Sequence, residues 1–157
     1  MELYKVKKSN IDKRGLYASK NLKPGTKIIE YIGKVISKKE TETNPKFDNE
    51  KDIYLFNLNN KYDLDGDYSW NTARLINHSC NPNCEVEGKG LEIWIIAIKD
   101  IKKGEELSYD YGFGYDVDYK QFPCKCRSQN CVGYIVREGS RWRIGKKYKK
   151  NNIRINK

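Results

Sequence analysis

The chain has 157 residues, 38% hydrophobic and 33% charged, with 12 Tyr, 3 Trp, 4 Phe and a net charge of +10. That length supports one domain, the aromatic content excludes a disordered polymer, and the lack of an apolar run of about 18 residues excludes a membrane span. Its single histidine, His78, excludes any mechanism that needs two.

Taken in chain order, short β-branched or aromatic runs bounded by Gly, Asn or Pro predict strands at 3–7, 15–19, 27–36, 53–58, 61–65, 91–99 and 106–109. The run from Leu91 to Ile98 is the most apolar and is expected to lie deepest. Residues 38–51 are polar and read as a surface loop or short helix. Residues 69–76 suit a short helix capped by Ser69 or Asn71. The pattern Ala18-x-Lys-Asn-Leu22-Lys-x-Gly25-x-x-Ile28 returns 79 residues later as Ala97-x-Lys-Asp-Ile101-Lys-x-Gly104-x-x-Leu107. Two copies do not make a solenoid. They predict one strand–turn–strand device used twice, with glycine at the tight position.

Charge is uneven. Residues 137–157 hold nine Lys or Arg against one acid, Glu138, while the other 136 residues are nearly balanced. This basic tail, with Lys146, Lys147, Lys149 and Lys150 close together, suits non-specific contact with a phosphate backbone. A solvated tail that aids solubility is the other reading. No recognition helix accompanies it, so sequence-specific DNA reading is not expected. The polar residues 1–5 do not read as a secretory signal, so the five cysteines are expected as thiols or metal ligands inside a cell.

The chemistry-bearing residues fall in four blocks. Asn71 to Cys84 runs Asn-Thr-Ala-Arg74-Leu-Ile-Asn77-His78-Ser79-Cys80-Asn-Pro-Asn-Cys84. Downstream come Gly104-Glu-Glu-Leu-Ser-Tyr109-Asp110-Tyr111-Gly112 and then Cys124-x-Cys126-x4-Cys131. Near the start stand Arg14-Gly15-Leu16-Tyr17 and Glu30-Tyr31-Ile32-Gly33. A His78–Cys80 nucleophile pair is disfavoured, because residues two apart in a strand-like turn do not face one another. A metal hydrolase is poorly served without a His-rich ligand set. A tyrosine-rich pocket with no obvious base suits a reaction that needs alignment and desolvation.

From about Lys13 to Tyr134 these blocks resemble, in order, the SET-domain protein lysine methyltransferases followed by a post-SET zinc segment. The resemblance implies a mostly β fold of short strands with a threaded, pseudoknot-like active site. It divides the chain into a SET domain over 1–115, a zinc segment over 120–136 and a basic tail over 137–157. It implies S-adenosylmethionine as methyl donor and a protein substrate presenting a lysine, a histone tail above all, and so places the chain in the nucleus or at chromatin, otherwise in the cytoplasm. Tyr111 matches the catalytic tyrosine and Tyr31 a tyrosine of the methyl-transfer pore. Tyr109 matches the position where Tyr favours mono- or dimethylation. Tyr54, with Phe56 and Tyr115, matches the walls of the lysine channel. Arg14, Gly15, Leu16 and Tyr17 resemble the cofactor turn, which often carries Trp where Leu16 stands. Arg74, Asn77 and His78 match cofactor-contacting or loop-fixing positions, and Phe122 is expected beside the cofactor. Cys80 matches the fourth ligand of a structural zinc shared with Cys124, Cys126 and Cys131, which leaves Cys84 without a role. Two other functions stay open: the same chemistry on a non-histone protein, and an inactive module that binds a peptide or nucleosome.

Overall fold

A computed structural model of the chain describes residues 2–47 and 54–144. The strands are β1 (Tyr4–Lys8), β2 (Arg14–Ala18), β3 (Lys27–Glu30), β4 (Lys34–Ser37), β5 (Leu55–Asn57), β6 (Tyr62–Asp65), β7 (Asn77–His78), β8 (Cys84–Lys89), β9 (Glu92–Ala97) and β10 (Ser108–Tyr109). The single helix named among them, α1 (Lys38–Thr43), follows β4, and its Ser37 side chain caps the Glu40 N–H. The strands form four small sheets: β1-β2, β3-β9-β8, β4-β6-β5 and β7-β10. The first three sheets are antiparallel, whereas β7 and β10 run parallel. The architecture is mostly β. Among the described residues, no helix is long and apolar enough to cross a membrane.

β9 is the middle strand of its sheet, and Ile93, Ile95, Ile96 and Ala97 are buried as expected of this run, whereas its ends, Leu91 and Ile98, are exposed. Leu16, Leu22, Ile76, Ile101 and Leu107 complete the core around it. A smaller cluster of Val132, Val136 and Ile144 gathers under Tyr115, Tyr119 and Tyr134.

Three expectations are corrected. The strand expected over 27–36 is two strands, because the chain leaves β3 at Tyr31, whose ring is driven into the core. Gly33 then passes so close to the Asp65 carbonyl that any side chain would collide with it. β8 went unpredicted although Cys84 and Val86 alternate with Glu85 and Glu87, the pattern of a half-buried strand. The expected helix over 69–76 is a 3-10 turn at Thr72–Leu75. Asn71 does not cap it: the buried amide accepts from the Ile32 N–H and donates to the Gly66 carbonyl. Part of the region expected over 38–51, the start of the 53–58 strand and residues 145–157 of the basic tail lie outside the described residues.

The repeated pattern has a use that its spacing alone does not reveal. The two copies pair with each other about a local two-fold axis. Leu22 and Ile101 exchange both backbone hydrogen bonds, at 2.7 and 2.9 Å. Gly25 N–H donates to Ala97 O while Gly104 N–H donates to Ala18 O, each at 2.8 Å. Ala18 N–H donates to Glu105 O and, symmetrically, Ala97 N–H donates to Thr26 O. Both glycines need positive φ, 86° and 90°, a region costly for residues with a Cβ.

Gly25→Ala and Gly104→Ala should therefore each destabilise the fold by about 1–2 kcal/mol. Equal shifts in urea midpoint for the two variants would check the symmetry. A clearly smaller effect at either position would break it.

Candidate functional site

The site is built where two segments remote in sequence lie side by side. Ser108 and Tyr109 of β10 pair with Asn77 and His78 of β7. Side chains lace the same segments together. Asn83 donates from Nδ2 to Glu106 O at 2.8 Å and accepts the Ser108 N–H on Oδ1 at 2.9 Å, as a strand neighbour would. The Tyr111 hydroxyl donates to Ile76 O at 2.6 Å, and the Tyr111 N–H donates to Nδ1 of His78 at 3.1 Å.

From Tyr111 a line of aromatic rings runs into the protein. Tyr109 lies 4.9 Å away between centroids, Phe56 lies 6.2 Å from Tyr109, and Tyr31 packs edge-on to Phe56 at 4.5 Å. The Tyr31 hydroxyl donates to Tyr54 O. Tyr31 reaches this place only because residue 66 is glycine, since a Cβ there would sit 2.2 Å from its ring. Burial pushes the phenols of Tyr31, Tyr109 and Tyr111 well above their ordinary range. All three therefore remain hydroxyl donors at neutral pH, and none serves as a base.

His78 is not a base either. Its Nδ1 is occupied by the Tyr111 N–H, so the ring proton sits on Nε2, 3.6 Å from Sγ of Cys80. Burial pulls the imidazole down to about 4, with Asp110 opposing and Arg141 adding to the shift, so the ring is neutral. His78 thus couples the tyrosine segment to the cysteines by hydrogen bonds.

Two adjoining hollows of about 220 and 280 Å³ share Asp12, Asn77 and Tyr111 and make one cleft outside the aromatic line. One end is lined by Lys13, Arg14, Tyr54 and Arg74, the other by His78, Phe122, Lys125 and Ile135. Arg74 places its guanidinium 5.7 Å from the Tyr54 ring. Asn77 fixes the turn that forms the rim, its Nδ2 lying within hydrogen-bond distance of Ser9 Oγ, Asp12 O, Arg14 O and Glu106 Oε1. Gly15 sits against that carboxylate with no room for a Cβ.

The structure thus brings Arg14, Tyr54, Arg74, Asn77, His78, Tyr111 and Phe122 to one cleft, and packs Tyr31, Phe56 and Tyr109 as a buried aromatic line behind it. Three residues fall elsewhere. The Leu16 side chain is fully buried in the core, and Tyr17 turns inward to bond Lys8 O and Glu106. Both hold the turn from behind. Tyr115, expected in the channel wall, instead packs at a tilt against Tyr119 in the smaller cluster. Residues that sequence reasoning missed include Phe113, which bridges Tyr111 to Phe122 at 5.7 and 5.1 Å. Asp12 was missed too; it pairs with Lys125 across the cleft rim. Glu106 and Asp110 stood inside quoted motifs without assigned roles.

The sulfur atoms of Cys80, Cys124, Cys126 and Cys131 all lie within 4.8 Å of one another. Tetrahedral zinc with bonds of about 2.3 Å needs sulfurs about 3.8 Å apart. Cys80 and Cys124 stand at 3.9 Å, so the donor set fits. Backbone N–H groups of Cys80 and Gly133 point at Cys126 and Cys131, the arrangement that favours thiolates. Cys84 is apart from this group; it is buried in β8 and its thiol is pushed up to about 12 by burial.

Comparison with known proteins agrees with this geometry. The family model described as the SET domain matches residues 13–112. Histone-lysine N-methyltransferase 2D of Homo sapiens is 42% identical over 130 residues, 79% of this chain and 2% of that protein. Histone-lysine N-methyltransferase trr of Drosophila melanogaster is likewise 42% identical, over 79% of this chain and 5% of its own length. Histone-lysine N-methyltransferase, H3 lysine-4 specific, of Schizosaccharomyces pombe is 39% identical over 81% of this chain and 14% of that protein. The chain therefore spans a small part of the length of these relatives.

Metal analysis checks the cysteine assignment. Protein purified without chelator should carry one ion per chain, Cys126→Ser should lose it, and Cys84→Ser should keep it. Loss of the ion from the Cys84 variant would show that Cys84, not Cys80, is the fourth ligand.

Proposed function

The chain belongs to the SET-domain family, and from that premise we propose that it is an S-adenosylmethionine-dependent protein lysine N-methyltransferase acting on a histone tail. The observation that carries this reading is the position of Tyr111, which lines the cleft on one side and heads the buried aromatic line on the other. A donor held in the cleft and a lysine in the channel would meet at its ring.

The cleft suits a ligand with a flat apolar end and a carboxylate end. Phe122 and Ile135 offer an apolar wall at one side, and Arg14 and Arg74 offer cations at the other. When bound, S-adenosylmethionine supplies a methyl group on a sulfonium. The residues of this chain do the rest. Tyr31, Phe56 and Tyr109 exclude water from the channel, which disfavours the ammonium form of a lysine that ordinarily titrates near ~10.4. Neither the three phenols nor His78 offers a base, so desolvation and the nearby positive charge are what free the amine. The aromatic faces tolerate the cation before it loses its proton. Tyr111, anchored at both its N–H and its hydroxyl, keeps the amine and the methyl in line, and such alignment supplies most of the acceleration.

Zinc is the metal that four thiolates suit, and its place here is structural. Held by Cys80, Cys124, Cys126 and Cys131, it would fasten the segment bearing Phe122 and Ile135 to Cys80 and so support a wall of the cleft. The name of the Schizosaccharomyces pombe relative specifies the H3 lysine-4 position, which makes that histone site the first to test. The basic residues beyond 137 support loose contact with the nucleic acid of chromatin, and with it a nuclear location, which is the host nucleus if the source is microbial or viral.

Incubating the chain with methyl donor and recombinant histones, followed by mass spectrometry, tests the function. Methyl-lysine on histone H3 is expected. Methylation only of non-histone proteins would transfer the reading to them, and donor binding without any transfer would leave a peptide-binding module.

Tyr111→Phe should lower kcat about 100-fold or more while donor binding changes little, since only the hydroxyl is lost. Tyr109→Phe should move the product towards trimethyl-lysine. The Tyr109 hydroxyl can hold the amine or an ordered water, and each added methyl removes a donor and displaces that water. Trimethyl-lysine as the main wild-type product in a long time course would overturn this second expectation.

A further inference from the structure

Residues 137–144, counted by sequence with the basic tail, are packed onto the site. The Arg137 N–H donates to Phe113 O at 2.7 Å. Val136 and Ile144 are buried in the cluster beneath Tyr115 and Tyr119. Arg141 is only 7% exposed and uses three faces of its guanidinium. Its Nε donates to Val136 O at 2.9 Å, its Nη1 to Cys80 O at 2.9 Å, and its Nη2 to Asp110 Oδ2 at 2.7 Å.

Each partner matters to the site. Asp110 stands between Tyr109 and Tyr111, and its carboxylate also accepts the N–H groups of Gly112 and Glu138. Cys80 is a member of the metal-binding set, and its carbonyl is held by Asn130 as well. Val136 opens the final packed segment. A buried guanidinium must be paired, and a planar fork with donors in fixed directions is suited to joining three acceptors at once.

We infer that Arg141 is a positioning residue for methyl transfer: with Asp110 it locks the backbone around Tyr111 to the metal-bearing loop, and residues 136–144 form the clip that delivers it. This rests on the role proposed for Tyr111. Arg141 touches neither cleft nor channel. It acts by holding Asp110, which fixes where the Tyr111 N–H and hydroxyl meet His78 and Ile76. Misplacement of a reacting group by about 1 Å can cost about 100-fold in rate, so a remote fastening of this kind is visible in turnover.

The test uses the full chain with its metal bound and compares Arg141→Lys, Asp110→Asn and the double variant. Lysine keeps the charge but cannot span three acceptors. The single variants should lower kcat by about 10-fold or more while the KM for S-adenosylmethionine stays within about 3-fold and one metal ion per chain is retained. The double variant should be no slower than the slower single one, because both break the same fastening. Backbone amide exchange at Tyr111 and Gly112 should be faster in all three. Wild-type kcat in Arg141→Lys, multiplying losses in the double variant, or unchanged exchange at Tyr111 would each overturn the inference. If the wild-type chain transfers no methyl, the proposed function fails, while the exchange measurement still decides whether Arg141 holds Tyr111.

Discussion

Asn77–His78 and Ser108–Tyr109 pair in parallel over two residues each, and a ladder that short holds little by itself. Parallel strands also need partners on both sides more than antiparallel ones do. Here side chains take the place of missing backbone neighbours. Asn83 presents an amide that satisfies one carbonyl and one N–H of the 106–108 segment, Asn77 reaches across to Glu106, and His78 accepts from Tyr111. The dense polar block from Asn71 to Cys84 is thus a fastening device before it is a source of reactive groups. Among the described residues, no buried side-chain nitrogen or oxygen lacks a hydrogen-bond partner.

That economy explains why the site can be both polar and water-excluding. His78, the Asn77 Nδ2 group and the Glu106 carboxylate are engaged by the Tyr111 N–H, Cys80, Ser9, Tyr17 and neighbouring backbone carbonyls, which ties the site's polar groups into one network. Buried networks of this sort are stable only when complete, because each orphaned group costs its full desolvation. In the proposed reaction, reactivity would come from an environment rather than from an ionised side chain. The four cysteines extend the network outward, joining the segment after Tyr119 to the loop that follows β7.

Much of this was legible in the residues. Short strands, the deep apolar run around Ile95 and the cysteine spacing were visible because period, punctuation and ligand count are local properties. The grouping of Tyr31, Phe56, Tyr109 and Tyr111 came from resemblance, since nothing in their spacing brings them together. What stayed hidden was relational. Asn71 looked like a helix cap because its neighbours suit a turn, yet its amide is spent on Ile32 and Gly66. Tyr115 lies close in sequence to Tyr111 but is carried away by packing on Tyr119. Arg141 was one of many basic residues, and only burial distinguishes it from the others.

The mutual pairing of the two repeated segments bears on the order in which the chain can assemble. Leu22 pairs with Ile101, and the Ala18 N–H and carbonyl bond Glu105 and Gly104, so the hub closes a loop of about 80 residues. β3 likewise waits for β9. During synthesis, a nascent chain halted just before residue 105 holds the strands of three of the four sheets but lacks β10 and the end of the second glycine turn that closes the hub. Folding of this domain is therefore a late event, gated by emergence of the second copy, and contacts so distant in sequence make it slow. Until then Leu16 lacks Leu107 and Leu22 lacks Ile101, so the core stays open on that side to whatever binds apolar nascent chain.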